Sequence, residues 1–312
     1  MLEQKDLLEL ENLSKENIEL ILDTAQKFKK LFTKSVKKFP ALKGKTIVNL
    51  FYEPSTRTRN SFELAAKRLG ADVINIVSNT SSIMKGESLI DTGKTLEAMK
   101  VDFIIIRHSI SGAPNLLAKN ISASVINAGD GFHEHPTQGL LDLFTIKDKI
   151  KDIKGKKIVI VGDIAHSRVA KSNIFALKKF GANITLVGPS TLVPESFKTL
   201  GVEIDYDLKN AIKNADVINI LRIQLERQTK NLFPSISEYV KFYKVTEDLV
   251  SSLDSNVIIM HPGPMNREIE ISSHLADTKK SVILEQVTNG IAIRMAVLYL
   301  LSLFKNISKV SL

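Results

Sequence analysis

The stretch Thr46-Ile47-Val48-Asn49-Leu50-Phe51-Tyr52-Glu53-Pro54-Ser55-Thr56-Arg57-Thr58-Arg59-Asn60-Ser61-Phe62-Glu63 begins as a strand and ends as a helix. Thr46–Phe51 is apolar and rich in β-branched residues, as a strand buried on both faces requires. Pro54 breaks it. Phe62, Leu64, Ala65, Ala66 and Leu69 then recur at helical spacing.

The same rhythm extends outward in both directions. A helix near Ser14–Phe32 precedes this unit, and the runs Ala71–Val77, Asp102–Arg107 and Ser124–Ala128 follow it, with helical patterns between. Pro136 opens a helix carrying Leu140, Leu141, Leu143, Phe144 and Ile146, and a lysine-rich stretch from Lys147 to Lys157 then breaks the series. A second series follows at Lys157–Val161, Asn183–Val187, Val202–Tyr206, Asp216–Leu221 and Val257–Met260. Strands alternating with helices imply parallel sheets covered on both faces. The expected fold class is therefore α/β, with two doubly wound domains, each a parallel sheet flanked by helices. The expected boundaries are 1–149 and 150–287, with a long apolar C-terminal helix in 288–312, centred on Gly290–Phe304, packing back on the first domain.

The 312 residues are 44% hydrophobic and 25% charged, which fits a globular protein and excludes disordered or collagen-like chains. No run approaches eighteen consecutive apolar residues and Met1–Glu11 carries acids, so neither a membrane span nor a leader is expected. There is no cysteine, which removes disulfides, thiolate metal sites and cysteine nucleophiles. A cytoplasmic location follows as the expectation. The formal charge of +9 comes from thirty-four lysines and nine arginines. The lysines are scattered and read as solvated faces, with no interleaved aromatics such as a nucleic-acid binder would show. The arginines at 57, 59, 107, 168 and 222 instead follow apparent strand ends, where a guanidinium can grip phosphate or carboxylate bidentately.

Three tempting motifs fail. Gly93-Lys94-Thr95 lacks both the strand and the glycine of a P-loop and reads as mid-helix. Val161-Gly162-Asp163 opens no glycine fingerprint for a dinucleotide. His133-Glu134-His135 lacks the cysteines of a deaminase zinc site, and no helical i, i+4 histidine pair exists, so neither metal nor cofactor is expected.

Three constellations remain. Ser55-Thr56-Arg57-Thr58-Arg59 sets hydroxyls, backbone N–H groups and two guanidinium groups at a helix amino end, a ready anion site. His135-Pro136-Thr137-Gln138 follows a strand; Pro136 fits the first helical position, so His135 caps the helix at the edge where open α/β sheets bind ligands. Arg107 ends another strand on that edge. The second domain offers Asp163–Arg168, Leu221–Gln224 and the rigid turn His261-Pro262-Gly263-Pro264, each after a strand. Arginines on both domains suggest two anionic ligands meeting in an interdomain active-site cleft. The loop Ser81–Glu87, read alone, is an ordinary polar loop.

Ser55–Glu63, His135–Gln138 and His261–Pro264, in this order and spacing, resemble the aspartate/ornithine transcarbamoylase family over nearly the whole chain. His261–Pro264 in a cysteine-free chain, Leu221–Arg227 and Lys85-Gly86-Glu87 look like the aspartate branch, and Arg222 would repel the cationic side chain of ornithine. The resemblance implies transfer of a carbamoyl group from carbamoyl phosphate to L-aspartate, an early step toward pyrimidines, without metal. It makes 1–149 the carbamoyl-phosphate domain and 150–287 the aspartate domain. By analogy Ser55, Thr56, Arg57, Thr58 and Arg107 hold the phosphate, and Thr58, Arg107 and His135 stabilise the oxyanion. Gln138 and the Pro262 carbonyl, in the Pro262-Gly263-Pro264 turn, hold the carbamoyl NH2. Arg168 takes the α-carboxylate of aspartate, and Arg222 with Gln224 the β-carboxylate. Ser81 and Lys85 reach the neighbouring subunit's site, which implies a homotrimer with shared sites. Met84 and Gly263 depart from relatives without removing a functional group. A separate regulatory chain or another pathway enzyme is compatible with the sequence as a further partner; nucleic acid and membrane are not expected.

Overall fold

The computed structural model describes residues 2–77, 86–223, 235–253 and 256–308, with 305–308 as backbone only. The chain forms two compact units. Unit 1 contains residues 1–141 and 288–312, and unit 2 contains residues 142–287.

Unit 1 carries β1 (Thr46–Phe51), β2 (Asp72–Val77), β3 (Phe103–His108) and β4 (Ser124–Asp130), all parallel, in the order β2-β1-β3-β4. The intervening helices are α2 (Thr56–Arg68), α3 (Leu89–Ala98) and α4 (Ala113–Asn120), preceded by α1 (Lys15–Leu31). Ser14 caps α1 by accepting from the Asn17 N–H. β1 and β4 are buried nearly throughout, and the polar Asn49 and Asn127 within them are buried as well. Gly93 lies inside α3, as expected, and its job is packing: a Cβ there would sit 2.4 Å from Leu117 Cδ1 of α4.

Unit 2 carries β5 (Lys157–Val161), β6 (Asn183–Val187), β7 (Glu203–Asp205), β8 (Val217–Ile220) and β9 (Ile258–Met260), parallel, in the order β7-β6-β5-β8-β9. α6 (Arg168–Lys179), α7 (Leu208–Ala211), α8 (Ile236–Tyr243), α9 (Glu247–Ser251) and α10 (Ser273–Ala276) follow in turn. Its core is aliphatic, centred on Val159, Val161, Ile218, Ile220 and Ile259.

In both sheets the chain first winds one way and then restarts on the other side of the first strand. The reversal falls between β1 and β3 in unit 1, and between β5 and β8 in unit 2. Ligands in open α/β sheets bind at such switch points, outside the carboxyl ends of the strands.

The division between the compact units falls inside α5 (Pro136–Ile150), between Leu141 and Asp142. The reason is that Asp142 accepts from Asn173 Nδ2 at 3.0 Å and Gln286 Nε2 at 2.8 Å, both within unit 2. The last helix, α11 (Ile283–Ser308), starts earlier than the apolar run. In unit 1 its Arg294 donates to Ser61 Oγ at 2.9 Å and stacks over the Phe62 ring. Ile283–Phe304 is long and apolar enough to cross a membrane, yet 67% of its most apolar window is buried in the protein, as in a core helix.

Candidate active site

The turn from β1 to α2 occupies the switch point of unit 1. Ser55 takes the N-cap position of α2, but its side chain makes no capping bond to its own helix. The first N–H groups of α2, with the positive end of the helix dipole, therefore face outward beside the Ser55 hydroxyl. Arg57 is exposed and Thr58 buried on the first turn.

Arg107 belongs to the other side of the same switch point. It sits where the β3–β4 register shifts, between Ile106 and His108; such irregularities re-aim side chains near functional sites. Its backbone oxygen accepts from the Tyr52 N–H at 2.9 Å, which fastens β3 to the turn after β1. Its Nε lies 3.4 Å from Glu53 Oε2, and its Nη1 donates to Ala128 O at 3.4 Å. His108 packs against Tyr52 with ring centroids 4.6 Å apart, and its Nδ1 accepts from the Ile110 N–H. Burial pushes this imidazole below its ordinary pKa, against the opposing pull of Glu53 and Asp130.

Pro136 is the first residue of α5, and the His135 carbonyl accepts from the N–H groups of Gln138 and Gly139. His135, Thr137 and Gln138 are buried. Carboxylates hold the loop leading to them. Asp130, fully buried, accepts from Asn127 Nδ2 at 2.7 Å and the Gly112 N–H at 2.7 Å, and pairs with His133 Nδ1 at 3.1 Å. Burial raises the Asp130 pKa, but His133, Gly112 and Asn127 together bring it below the usual carboxylate value. The bond to Asp130 raises His133 correspondingly, against burial. Glu134 accepts from the N–H groups of Leu10 and Glu11 at 2.9–3.0 Å. The His133-Glu134-His135 run is thus divided between an ion pair, a backbone clamp and a helix start.

In unit 2, Arg168 and Arg222 follow β5 and β8, the two strands of its switch point. Arg168 is the buried first residue of α6, and Ser167 caps that helix by accepting from the Ala170 N–H at 3.2 Å. Arg222 is half-buried. Gly162, at φ +131, lets β5 run close to β8: a Cβ there would lie 2.7 Å from Leu221 O. The turn Pro262-Gly263-Pro264 follows β9, with Gly263 at φ +66 and a cis bond before Pro264.

His261 fixes this turn. Its Nδ1 accepts from the Gly263 N–H at 2.7 Å, so the ring proton sits on Nε2, which donates to Glu270 Oε1 at 3.2 Å. Both side chains are fully buried. Glu270 Oε1 also accepts from the Asn266 N–H at 2.5 Å, and Gln286 Oε1 accepts from the His261 N–H at 3.0 Å. Gln286 in turn donates to Asp142.

The structure therefore gathers Ser55, Thr56, Arg57, Thr58, Arg107, His135 and Gln138 at the carboxyl edge of one sheet. Arg168, Arg222 and Pro262–Pro264 lie at the carboxyl edge of the other. Ser81, Lys85 and Gln224 lie outside the described residues. Sequence reasoning missed the acids behind these groups: Glu53, Asp130, Glu134, Asp142 and Glu270. The one local signal was an acid adjacent to a functional residue, as in Glu53 before Pro54-Ser55 and Glu134 before His135.

Comparison with known proteins agrees with this geometry. The family model described as aspartate/ornithine carbamoyltransferase, carbamoyl-P binding domain, matches residues 5–148, and the Asp/Orn binding domain matches 154–301. The aspartate carbamoyltransferase catalytic subunit of Endomicrobium trichonymphae is 67% identical over 297 residues, covering 95% of each chain. Among solved structures, aspartate transcarbamoylase from Trypanosoma cruzi with carbamoyl phosphate and aspartate has a TM-score of 0.85 at 28% identity, covering 94% of this chain and 95% of that one. Ornithine carbamoyltransferase from Pyrococcus furiosus reaches a TM-score of 0.83 at 32% identity with the same coverage, so the backbone alone does not separate the two acceptors.

Proposed function

We infer that this chain, which belongs to the aspartate/ornithine carbamoyltransferase family, is a transferase that moves the carbamoyl group of carbamoyl phosphate to the amine of L-aspartate. The products are N-carbamoyl-L-aspartate and phosphate, and the step feeds pyrimidine synthesis. The observation that carries this reading is the α2 amino end, left uncapped by Ser55 at the switch point shared with Arg107.

There the phosphate accepts from the Ser55, Thr56 and Thr58 groups and from Arg57 and Arg107. The aspartate amine attacks the carbamoyl carbon, and the C=O electron pair moves onto oxygen. Thr58, Arg107 and His135 stabilise that oxyanion, an effect typically worth about 3–4 kcal/mol for a single donor. Gln138 and the Pro262 carbonyl hold the carbamoyl NH2. When the C=O re-forms, the C–O bond to phosphate breaks and phosphate departs with the electron pair. The proton on the new C–N nitrogen passes to the departing phosphate, so no protein base is required. Arg168 holds the α-carboxylate of aspartate, and Arg222 with Gln224 the β-carboxylate. Positioning and charge complementarity supply most of the rate.

The family resemblance of the Ser81–Lys85 segment supports a homotrimer in which Ser81 and Lys85 complete a neighbour's site. β2, which leads into that segment, is an edge strand with Ile74 44% exposed. Relatives named as catalytic subunits support a separate partner chain as well. The cysteine-free composition supports a cytoplasmic location.

A colorimetric assay for ureido product, run with aspartate and ornithine side by side, tests the reading. Product with aspartate alone is expected, unchanged by EDTA. Product with ornithine alone would transfer the chain to the other branch.

A further inference from the structure

The residues assigned to the reaction in unit 2 lie at the carboxyl ends of its strands. A cavity of about 1010 Å3 opens at the opposite edge, among the segments that enter β5, β8 and β9. Six lysines line it: Lys149, Lys156, Lys209, Lys213, Lys279 and Lys280. They come from three separate stretches, between β4 and β5, between β7 and β8, and after β9, so the sequence shows them as scattered.

Two of the six are internally matched. Lys149 meets Glu285 at 2.6 Å, and Lys156 meets Asp216, which also lines the cavity, at 3.0 Å. Among the described residues, Lys209, Lys213, Lys279 and Lys280 have no ion-pair partner. Ile212, Val257 and Val282, all buried, form an apolar floor that brings no counter-charge. Like charges around a low-dielectric concavity repel one another and raise its positive potential. A polyvalent anion in the cavity reverses the sign of that interaction. The volume matches the upper end of small-molecule sites, roughly 300–1,000 Å3, and the concavity favours a compact ligand over an extended acidic chain.

We propose that this basin is a second anion site, taking a small polyphosphate and standing apart from the groups that handle carbamoyl phosphate and aspartate. Four ammonium groups suit a ligand with several negative charges, and lysine is well suited to phosphate as a compact charge with rotatable donors.

Isothermal titration of the intact protein with inorganic tripolyphosphate tests this, with orthophosphate as the low-charge comparison. Because the Ser55–Arg57 turn also attracts phosphate, three proteins are titrated: the native chain, Lys279→Glu/Lys280→Glu and Arg57→Ala. The native chain and Arg57→Ala are expected to bind tripolyphosphate at least tenfold more tightly than orthophosphate, with affinity falling as salt rises. Lys279→Glu/Lys280→Glu is expected to lose at least tenfold of that affinity while keeping native carbamoyl transfer. Should the double reversal fail to fold, Lys209→Gln/Lys213→Gln is expected to show a several-fold loss instead. Tripolyphosphate affinity that follows Arg57→Ala and ignores the lysines would overturn the site. So would an equal response to orthophosphate. Tighter binding of polyglutamate than of tripolyphosphate would overturn the small-molecule class and make the basin a protein-docking face.

Discussion

Two turns invite comparison because they occupy equivalent places: β1 to α2 in unit 1 and β5 to α6 in unit 2. Each follows the first strand of its sheet, each has serine at the N-cap, and each brings arginine within the first helical turn. Ser167 spends its hydroxyl on its own helix, accepting from Ala170, whereas Ser55 makes no such bond. The α6 turn is locally complete, so its proposed role in holding aspartate falls on the Arg168 side chain alone. The α2 turn is locally incomplete, and its ligand is expected to finish it. Incompleteness of this kind separates a phosphate cradle from a turn that merely presents a guanidinium.

The sharpest way to break the comparison is to remove each arginine. Arg57→Ala is expected to raise the KM for carbamoyl phosphate and Arg168→Ala the KM for aspartate. The reason is that each loses one member of a charge pair formed on binding, a loss of roughly 2–5 kcal/mol. Steady-state kinetics with each substrate varied in turn checks the crossing pattern; a common effect of both variants on one substrate would erase the distinction.

The His261 turn sharpens it from the other side, since that turn is also locally complete. Glu270→Leu strands the buried His261 Nε2–H and Asn266 N–H, at a cost of about 1–3 kcal/mol per unmet group. Lower Tm and lower kcat are expected together, because the Pro262 carbonyl shifts. Glu270→Gln, which keeps an acceptor, is expected to restore both, and failure of that rescue would remove the positioning role.

A smaller effect is expected from the serines themselves. Ser167→Ala should cost about 1 kcal/mol of stability, the usual value of a lost cap, with little change in either KM. Ser55→Ala should leave chemical denaturation nearly unchanged and weaken carbamoyl phosphate. Equal loss of stability in both would mean that Ser55 caps α2 after all.

The smallest effect concerns the loop before His135. The His133 pKa is raised in the folded protein, so its pairing with Asp130 stabilises fully below about pH 6.5 and is lost as pH rises through the folded value. The Asp130 pKa is lowered, so its share is lost only as pH falls through that depressed value. His133→Gln should therefore reduce the difference in Tm between pH 5.5 and pH 8. An unchanged profile would remove this ion pair from the account.

Much of this fold is written locally. β5 and β6 run over the residues that their apolar runs mark, since both are interior strands covered on two faces. β7 is shorter than Val202–Tyr206 because, as an edge strand, it has only β6 to pair with. α11 begins before its apolar run because Gln286 and Asn289 are buried polar residues inside it, which periodicity scores as solvent-facing. The supporting acids were illegible for a different reason. Glu134 serves Leu10 and Glu11, more than a hundred positions away, and Glu53 serves Arg107. No local pattern records a partnership made only by folding. The lysines of the basin were scattered in sequence and became a cluster for the same reason.

The discontinuity of unit 1 also bears on the order of events during synthesis. Residues 142–287 are contiguous, so unit 2 has all its strands once β9 and its flanking helices leave the ribosome. Unit 1 is mostly translated earlier, yet Ser61 and Phe62 wait for Arg294 of α11. At about 5–20 residues per second, that wait is on the order of ten seconds or more. The half made first is therefore expected to be finished last. Limited proteolysis of a released fragment ending at residue 287 should find unit 2 resistant and α2 still open to cleavage.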